Sequence, residues 1–516
     1  MNTRPAQRAG PGIMVTTAAM AVLGATVGLG VAFAGGGVAA AGVGLCAVVV
    51  IATFVARRIA ARPGYLGIEV PAVLVLVSTL VWRLRDTTSL ASQPLDAAGL
   101  VRLATLGLGG LLAFIAVTRG DVKSVLSRLR DARALWIYVA YLGVVILGVI
   151  PSSFPLLTVF RAVNLAIGLL VILGAYQIAG DEGLWRLEKV LFWFMITHLA
   201  AVWFWVFVSP NQALRHTSSP FPYRIEGLFP AMSTDRIGEY GVILFFWGIA
   251  SWMSGKDRVI TSRRRSLAVS GFGSVSLLFA QYRTGYVAMA AGFLILLILH
   301  RKWIVTAGLV GFGVGTLLFG KTIAAWLPAS AITSFLLRGQ SLSLASKLSG
   351  RDTLWSAALP VWKHSPIIGN GLETASRFDV LSNLGRGFTS TLHSTWIEAL
   401  VGTGVAGTVL LLGCLIVVSR RAFLTAMRGG RAVPVLVVGV LAVRSITGTS
   451  FEAFSLEFML FLTMAMAVRH RPPRRAQPVA REDPGGVVRA SPVGVTVAAS
   501  DPQEGAHAVG QGDESG

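Results

Sequence analysis

The chain has 516 residues, 54% hydrophobic and 13% charged, with a mean hydropathy of +0.69 and a formal net charge of +21. This profile excludes an ordinary soluble globular protein and fits a multispanning membrane protein. The basic residues stand in short runs between apolar segments, so the charge reads as membrane topology and not as a nucleic-acid footprint, and Cys46 and Cys414, each inside an apolar stretch, imply neither a disulfide framework nor a metal site built on cysteines.

A transmembrane helix needs roughly 20 mostly apolar residues. On that measure about 14 segments are predicted, at 13–33, 36–56, 67–84, 98–117, 134–150, 157–179, 189–208, 236–253, 266–281, 285–300, 303–320, 393–418, 433–448 and 451–468. The first lacks an A-x-A cleavage pattern followed by a soluble domain and reads as a retained helix. Segments 67–84 and 285–300 are the short or interrupted ones, and Pro71 falls inside the former. The expected fold is all-α and polytopic. The membrane domain fills 1–470. A tail over 471–516, rich in Pro, Gly, Ala and Ser, is expected to be disordered.

Charge sets the orientation. With the N-terminus in the cytoplasm, the loops "ARRIAARP", "RGDVKSVLSRLRDAR", "GKDRVITSRRRS", "HRK" and "RRAFLTAMRGGR" fall on the same side as the tail "RHRPPRR". Loops and tails on that side carry about 29 of the 45 Lys and Arg, the positive-inside asymmetry. An even number of spans returns the C-terminus to the cytoplasm. Two long loops then face outward, 209–235 and 321–391. In the second, "RDTLWSAALPVWKH" spaces Leu354, Ala357, Ala358, Val361 and Trp362 as a helix face, so one or two short helices are expected over the membrane surface.

The outer face gathers polar groups that the rest of the chain avoids. They are Arg224 in "YRIEGLF", Tyr282 and Arg283 in "AQYRTGYVAMAAG", Arg351 and Asp352 in "SGRDTLW", and His393 with Glu398 in "STLHSTWIEALVGTGVAG". Arginine near hydrocarbon is costly and faces a partner or a wet cavity. Each group has a plain reading beside a functional one. Arg283 snorkels to the interface or holds a ligand. Arg224 is a loop charge or an anion ligand. His393 merely opens a helix or serves as a base. Glu398 hydrogen-bonds within the bundle or takes part in chemistry. Taken together, fixed guanidinium forks suit a diphosphate, and a neutral histidine can take a proton from a hydroxyl. Glycosyl transfer from a lipid diphosphate needs both.

These residues carry a resemblance. "HSTWIEALVGTGVAG" fits H-[NSQ]-x9-G-x-x-[GTY] through His393, Ser394, Gly404 and Gly407, and "RIEGL" fits R-x-x-x-L through Arg224 and Leu228. With "AQYRTGYVAMAAG" and "SGRDTLW…HSPIIGNGLE" in the same chain order, residues 220–410 resemble the O-antigen ligase family, which includes the O-antigen polymerases and related bacterial O-oligosaccharyltransferases. The resemblance implies a GT-C-like enzyme of the plasma membrane with its active site outside. It implies inverting, metal-independent transfer of a glycan from a polyprenyl-diphosphate carrier to a glycan or other hydroxyl acceptor, with no cofactor. His393 would be the base, Arg224 and Arg283 the diphosphate ligands, and Arg351, Tyr282 and Glu398 further contacts. The chain departs from the family pattern in "AMSTD", where an Asn-Pro type sequence is commoner, and in Tyr282, where Ser is frequent.

Two other readings stay open. A transporter or flippase for lipid-linked glycans would place charge at the bilayer midplane. A peptidoglycan-type polymerase of the shape-and-division class would carry a functional aspartate in an outer loop, for which Asp352 and Asp379 are available. Polymerase and ligase share donor chemistry and are not separated by the residues. The Ala, Gly, Val and Arg bias points to a high-GC bacterium and so toward polymerisation.

Overall fold

The computed structural model describes residues 67–81, 97–118, 132–216, 222–255, 257–302, 351–381 and 391–468, with a few isolated positions besides. The segments read at 13–33 and 36–56, nearly all of 303–320, residues 321–350 and the tail 471–516 lie outside the described residues.

The described chain is a helical bundle. Helix α1 is Glu69–Ser78, α2 is Ala97–Thr118 and α3 is Arg133–Leu147. Helix α1 is shorter than the apolar run that contains it. Pro71 lies in its first turn, where a missing N–H costs nothing, and the Ser78 and Thr79 hydroxyls bond back to the carbonyls of Val75 and Leu76 at its end. Helix α4, Pro155–Val208, covers two predicted segments and breaks at Ala179–Gly180, where Gly180 takes φ 57°. A four-residue turn, α5 (Pro210–Ala213), leads into strands β1 (Leu214–His216), β2 (Tyr223–Ile225), β3 (Gly227–Leu228) and β4 (Ala231–Met232). These pair as two small antiparallel ribbons, β1–β2 and β3–β4, in a loop where the sequence reading expected no strands.

Helix α6 is Thr234–Ser254, α7 is Arg263–Ala280 and α8 is Arg283–Leu299. Helices α6 and α7 approach closely at Gly241 and Gly273, where an added Cβ on either would strike the other's carbonyl oxygen. Helix α9, Arg351–His364, forms where a short helix is expected, and its Leu354 and Ala358 are buried with Leu381, Leu392 and Val401. A π-helical turn, Ala375–Leu381, follows. Helix α10 (Thr395–Met427), α11 (Val433–Thr447) and α12 (Leu456–Ala467) complete the bundle. Among the described residues three helices, α2, α4 and α10, are long and apolar enough to cross a membrane.

The fold has two polar ends. At one, Arg431 after α10 makes two 2.8 Å bonds to Glu188 of α4 and a 3.3 Å bond to Asp257 after α6. Asp257 also accepts from Trp247 Nε1 at 3.0 Å. The opposite end, where α6, α8, α9 and α10 begin, holds the residues considered next.

Helix α10 is not continuous. At Gly404 the backbone takes φ 65° and ψ −167°, and residues 366–371 cross the break. Four backbone bonds tie the two together. Asn370 and Gly371 N–H donate to the carbonyls of Val401 and Gly402 at 2.9 and 3.0 Å, and Val405 and Ala406 N–H donate to Pro366 and Ile367 at 2.9 and 3.1 Å. The crossing segment thus satisfies the groups that the broken helix leaves unpaired.

Candidate functional site

Leu392, the residue before His393, is held through both of its backbone polar groups. Its N–H donates to Glu398 Oε1 of α10 at 3.0 Å. Its carbonyl accepts from Trp355 Nε1 of α9 at 3.0 Å. His393 itself sits at φ 54°, left-handed and uncommon for a residue with a side chain, though His adopts it more readily than most. Downstream, Thr395 N–H donates to Gly448 O at 3.0 Å, and Thr395 Oγ1 bonds Glu452 Oε2 at 2.7 Å, which also accepts from Ser450 N–H at 2.9 Å. The imidazole is therefore carried on a short segment fixed between α9, α10 and the α11–α12 corner.

Its electrostatic surroundings come from three elements. Burial lowers the His393 pKa below its ordinary 6.5, and the Arg351 cation at the start of α9 lowers it further. Asp235 in the first turn of α6 acts the other way, and Arg444 of α11 adds to the lowering. Arg351 is in turn held by Asp235, against a burial that lowers its own pKa. Arg444 is buried, pairs with Glu239 at 2.6 Å and donates to the Tyr282 hydroxyl at 2.6 Å. A second buried pair, Arg236–Glu457 at 3.2 Å, lies on the same elements.

Arg283 is the first residue of α8 and directly follows Tyr282. Arg224 lies on β2, which is tied to the same corner by Gln281 Nε2 donating to Tyr223 O at 3.1 Å. The sequence presents Arg224 as a cation without an obvious partner; in the fold it pairs with Glu226 at 3.2 Å, two residues on along the same hairpin. Its Nε is buried with no hydrogen-bond partner among the described residues.

His393, Arg351 and Tyr282 are thus brought into one electrostatic neighbourhood, with Arg283 adjoining it and Arg224 joined through the β2 hairpin. Glu398 acts on the backbone before His393, which is its within-bundle reading. Gly404 and Gly407 stand further along α10 at the break. A Cβ at Gly404 would strike Ile367, and one at Gly407 would strike the Thr403 side chain. Asp235, Trp355, Arg444 and Glu452 were not singled out from the sequence. Asp235 follows a Ser-Thr pair and reads there as ordinary helix-start chemistry, since Ser233 accepts the Arg236 N–H as an N-cap. Among the described residues no group of three or more His, Cys, Asp or Glu is placed to hold a metal ion.

Residues 268–412 match the family model described as O-Antigen ligase. The match covers Tyr282, Arg283, Arg351, His393, Glu398, Gly404 and Gly407, while Arg224 and Asp235 precede it. No curated protein matches the chain.

Proposed function

We propose that this chain, whose residues 268–412 match the O-antigen ligase family model, transfers or polymerises a glycan from a polyprenyl-diphosphate carrier onto a hydroxyl acceptor at the outer face of the plasma membrane. The observation that carries this reading is His393, clamped through Leu392 by Glu398 and Trp355 and set among Arg351, Asp235 and Arg444. A histidine held below its ordinary pKa is neutral at physiological pH and able to accept a proton. In the proposed step His393 takes the proton of the acceptor hydroxyl. The oxygen attacks the anomeric carbon from the face opposite the diphosphate. The bond from carbon to the diphosphate oxygen breaks, and its electron pair leaves with the lipid carrier. Arg224 and Arg283 balance the charge growing on that leaving group, with Arg351 and Tyr282 beside them. The topology that goes with this reading is 14 spans in a GT-C-like arrangement with both termini cytoplasmic. Ser356→Cys on the exposed side of α9 is then labelled by an impermeant reagent from outside, and Thr261→Cys only after permeabilisation; the reverse pattern would invert the orientation.

Arg224→Lys and Arg283→Lys test the diphosphate grip. Lysine keeps the charge and loses the planar fork. Losing one charge-assisted hydrogen bond, worth about 1.5–3 kcal/mol, lowers transfer roughly 10- to 100-fold. Turnover of a lipid-diphosphate donor at the wild-type rate in Lys and Ala variants of both would remove them from the site.

The pH profile tests His393 and its neighbours together. A lowered pKa keeps the base unprotonated to lower pH, so the acid limb of transfer lies below the ordinary histidine value of 6.5. Arg351→Gln removes a cation that lowers the pKa and moves the limb to higher pH. Asp235→Asn removes an anion that raises it and moves the limb to lower pH. Two variants that leave the limb in place would show that another group titrates.

A further inference from the structure

Both residues flanking Arg283 are tied to the end of α11. Tyr282, the residue before α8, is buried, and its hydroxyl accepts from Arg444 Nη1 at 2.6 Å. The Arg444 guanidinium also lies 5.5 Å from the centroid of the Tyr282 ring. On the other side of Arg283, Thr284 Oγ1 hydrogen-bonds Thr447 Oγ1 at 2.7 Å. The next residue, Gly448, accepts through its carbonyl from Thr395 N–H at 3.0 Å and Thr395 Oγ1 at 3.1 Å, in the segment that carries His393. Residues 444–448 thus hold the mount of the proposed leaving-group ligand and the mount of the proposed base.

Tyr282 has little freedom. Its ring lies against Gly238 of α6 and Gly285 of α8, and an added Cβ at either would strike it. Its carbonyl accepts the Tyr286 N–H at 3.2 Å, so a shift of the ring carries the first turn of α8 with it. Arg444 is fixed in turn by Glu239 of α6, with Nε and Oε2 2.6 Å apart, and both residues are buried. A buried ion pair is weak evidence for stability, since desolvation offsets much of its attraction, and apolar contacts would join α6 to α11 as well. What a guanidinium adds is direction. One edge faces the carboxylate while Nη1 donates to the hydroxyl, all in one fixed plane.

We propose that Arg444 is a positioning residue for glycosyl transfer, which acts through the Tyr282 hydroxyl to set the start of α8 and so the place of Arg283 relative to His393. Residue 444 lies beyond the matched residues 268–412, so the family model assigns it nothing. The inference rests on the glycosyl-transfer reading and gives Tyr282 its part there, as the link between Arg444 and Arg283.

Steady-state kinetics of the purified full chain, with an undecaprenyl-diphosphate glycan as donor, test it. Tyr282→Phe keeps the ring between its two glycines and keeps the Arg444–Glu239 pair, and loses only the hydroxyl. A misplacement of about 1 Å can cost on the order of 10²-fold, and one lost tie of several is expected to lower kcat about tenfold. Donor KM should stay within about twofold, because Arg283 acts on charge that grows only in the transition state, and the unfolding temperature should not move. In the Arg283→Gln background the same change is expected to cost less than about twofold, since the group it positions is already gone. Glu239→Gln/Arg444→Met, which strands no charge, is expected to show the same loss of about tenfold and to add less than about twofold to Tyr282→Phe. Where that pair variant fails to fold, Arg444→Lys, which keeps a cation opposite Glu239, makes the same comparison. Tyr282→Phe at the wild-type kcat overturns the proposal. So does a full loss from Tyr282→Phe in the Arg283→Gln background, which is what a purely structural contact or a direct contact with substrate would give. Additive losses at 444 and 282 overturn it too. Those three results leave the transfer reading standing. Arg283→Gln at the wild-type rate overturns the donor-site assignment itself, and this inference with it.

Discussion

His393→Ala is expected to lower glycan transfer about 10²–10⁴-fold, the range set by loss of general-base help. The substitution removes the imidazole and leaves its mounting. Leu392 is held by Glu398 and Trp355, and Thr395 by Gly448 and Glu452, and none of these bonds uses the His393 side chain. Donor binding and folding should therefore survive. The left-handed φ of 54° adds a cost for alanine that has nothing to do with chemistry. His393→Asn separates the two effects, since asparagine adopts that conformation more readily and carries no titrating nitrogen. Both variants are expected to lose transfer, and only the alanine variant to lose some thermal stability. The measurement is product formation by purified protein from a lipid-diphosphate glycan, alongside an unfolding curve. Transfer at the wild-type rate in His393→Asn would take the histidine out of the mechanism.

Much of the helical scaffold is legible because apolar length is written directly in the sequence. The runs at 98–117, 134–150 and 433–448 become α2, α3 and α11 within a few residues. Helix α9 is legible too, because Leu354 and Ala358 fall four apart and are the pair that is buried. The polar site is legible only as a set of residue types. Its geometry depends on partners far apart in the chain. Arg161 and Glu373 meet across the fold, as do Tyr282 and Arg444, and no local spacing announces either pair. Asp235 is hidden for the opposite reason, since its local context already explains it as part of a helix start. The ribbons of residues 214–232 escape because strands of two or three residues are too short to show an alternation.

The motif glycines show what a pattern leaves out. Gly404 and Gly407 of the motif, with Gly402 two residues before the first of them, are small residues of the kind that let one helix pack tightly on its neighbours. In the fold they serve a break in the helix. A break cannot be seen in hydrophobic periodicity, because the apolar run continues through it. It is set by one dihedral and by a distant segment, residues 366–371, that fills the gap.

Gly404→Ala is therefore expected to be among the most damaging single changes outside the polar site. At φ 65° and ψ −167° the backbone occupies a region open essentially to glycine alone, and forcing another residue into it costs about 1–3 kcal/mol. The new Cβ would also strike the Ile367 carbonyl and press on the Gly369 N–H. Relief requires the crossing segment to withdraw. Withdrawal strains the four backbone bonds it makes to α10, each worth about 0.5–1.5 kcal/mol net and more if a buried group is left unpaired. Together these amount to several kcal/mol, on the order of 3–5. The damage should reach the site. The crossing segment runs directly into Glu373 and Ser376, which adjoin Glu398, so a displaced segment loosens the clamp on Leu392. Gly413→Ala in the same helix provides the comparison. An added Cβ there meets nothing within 4 Å, and alanine inside a regular helix is favourable by up to about 1 kcal/mol. The expected result is opposite signs. Gly404→Ala lowers the unfolding temperature and the monodisperse yield in detergent and loses transfer, while Gly413→Ala keeps all three or raises them. Equal stability in the two variants would mean that α10 can run straight through residue 404, and that the crossing segment is not what the glycine is there to admit.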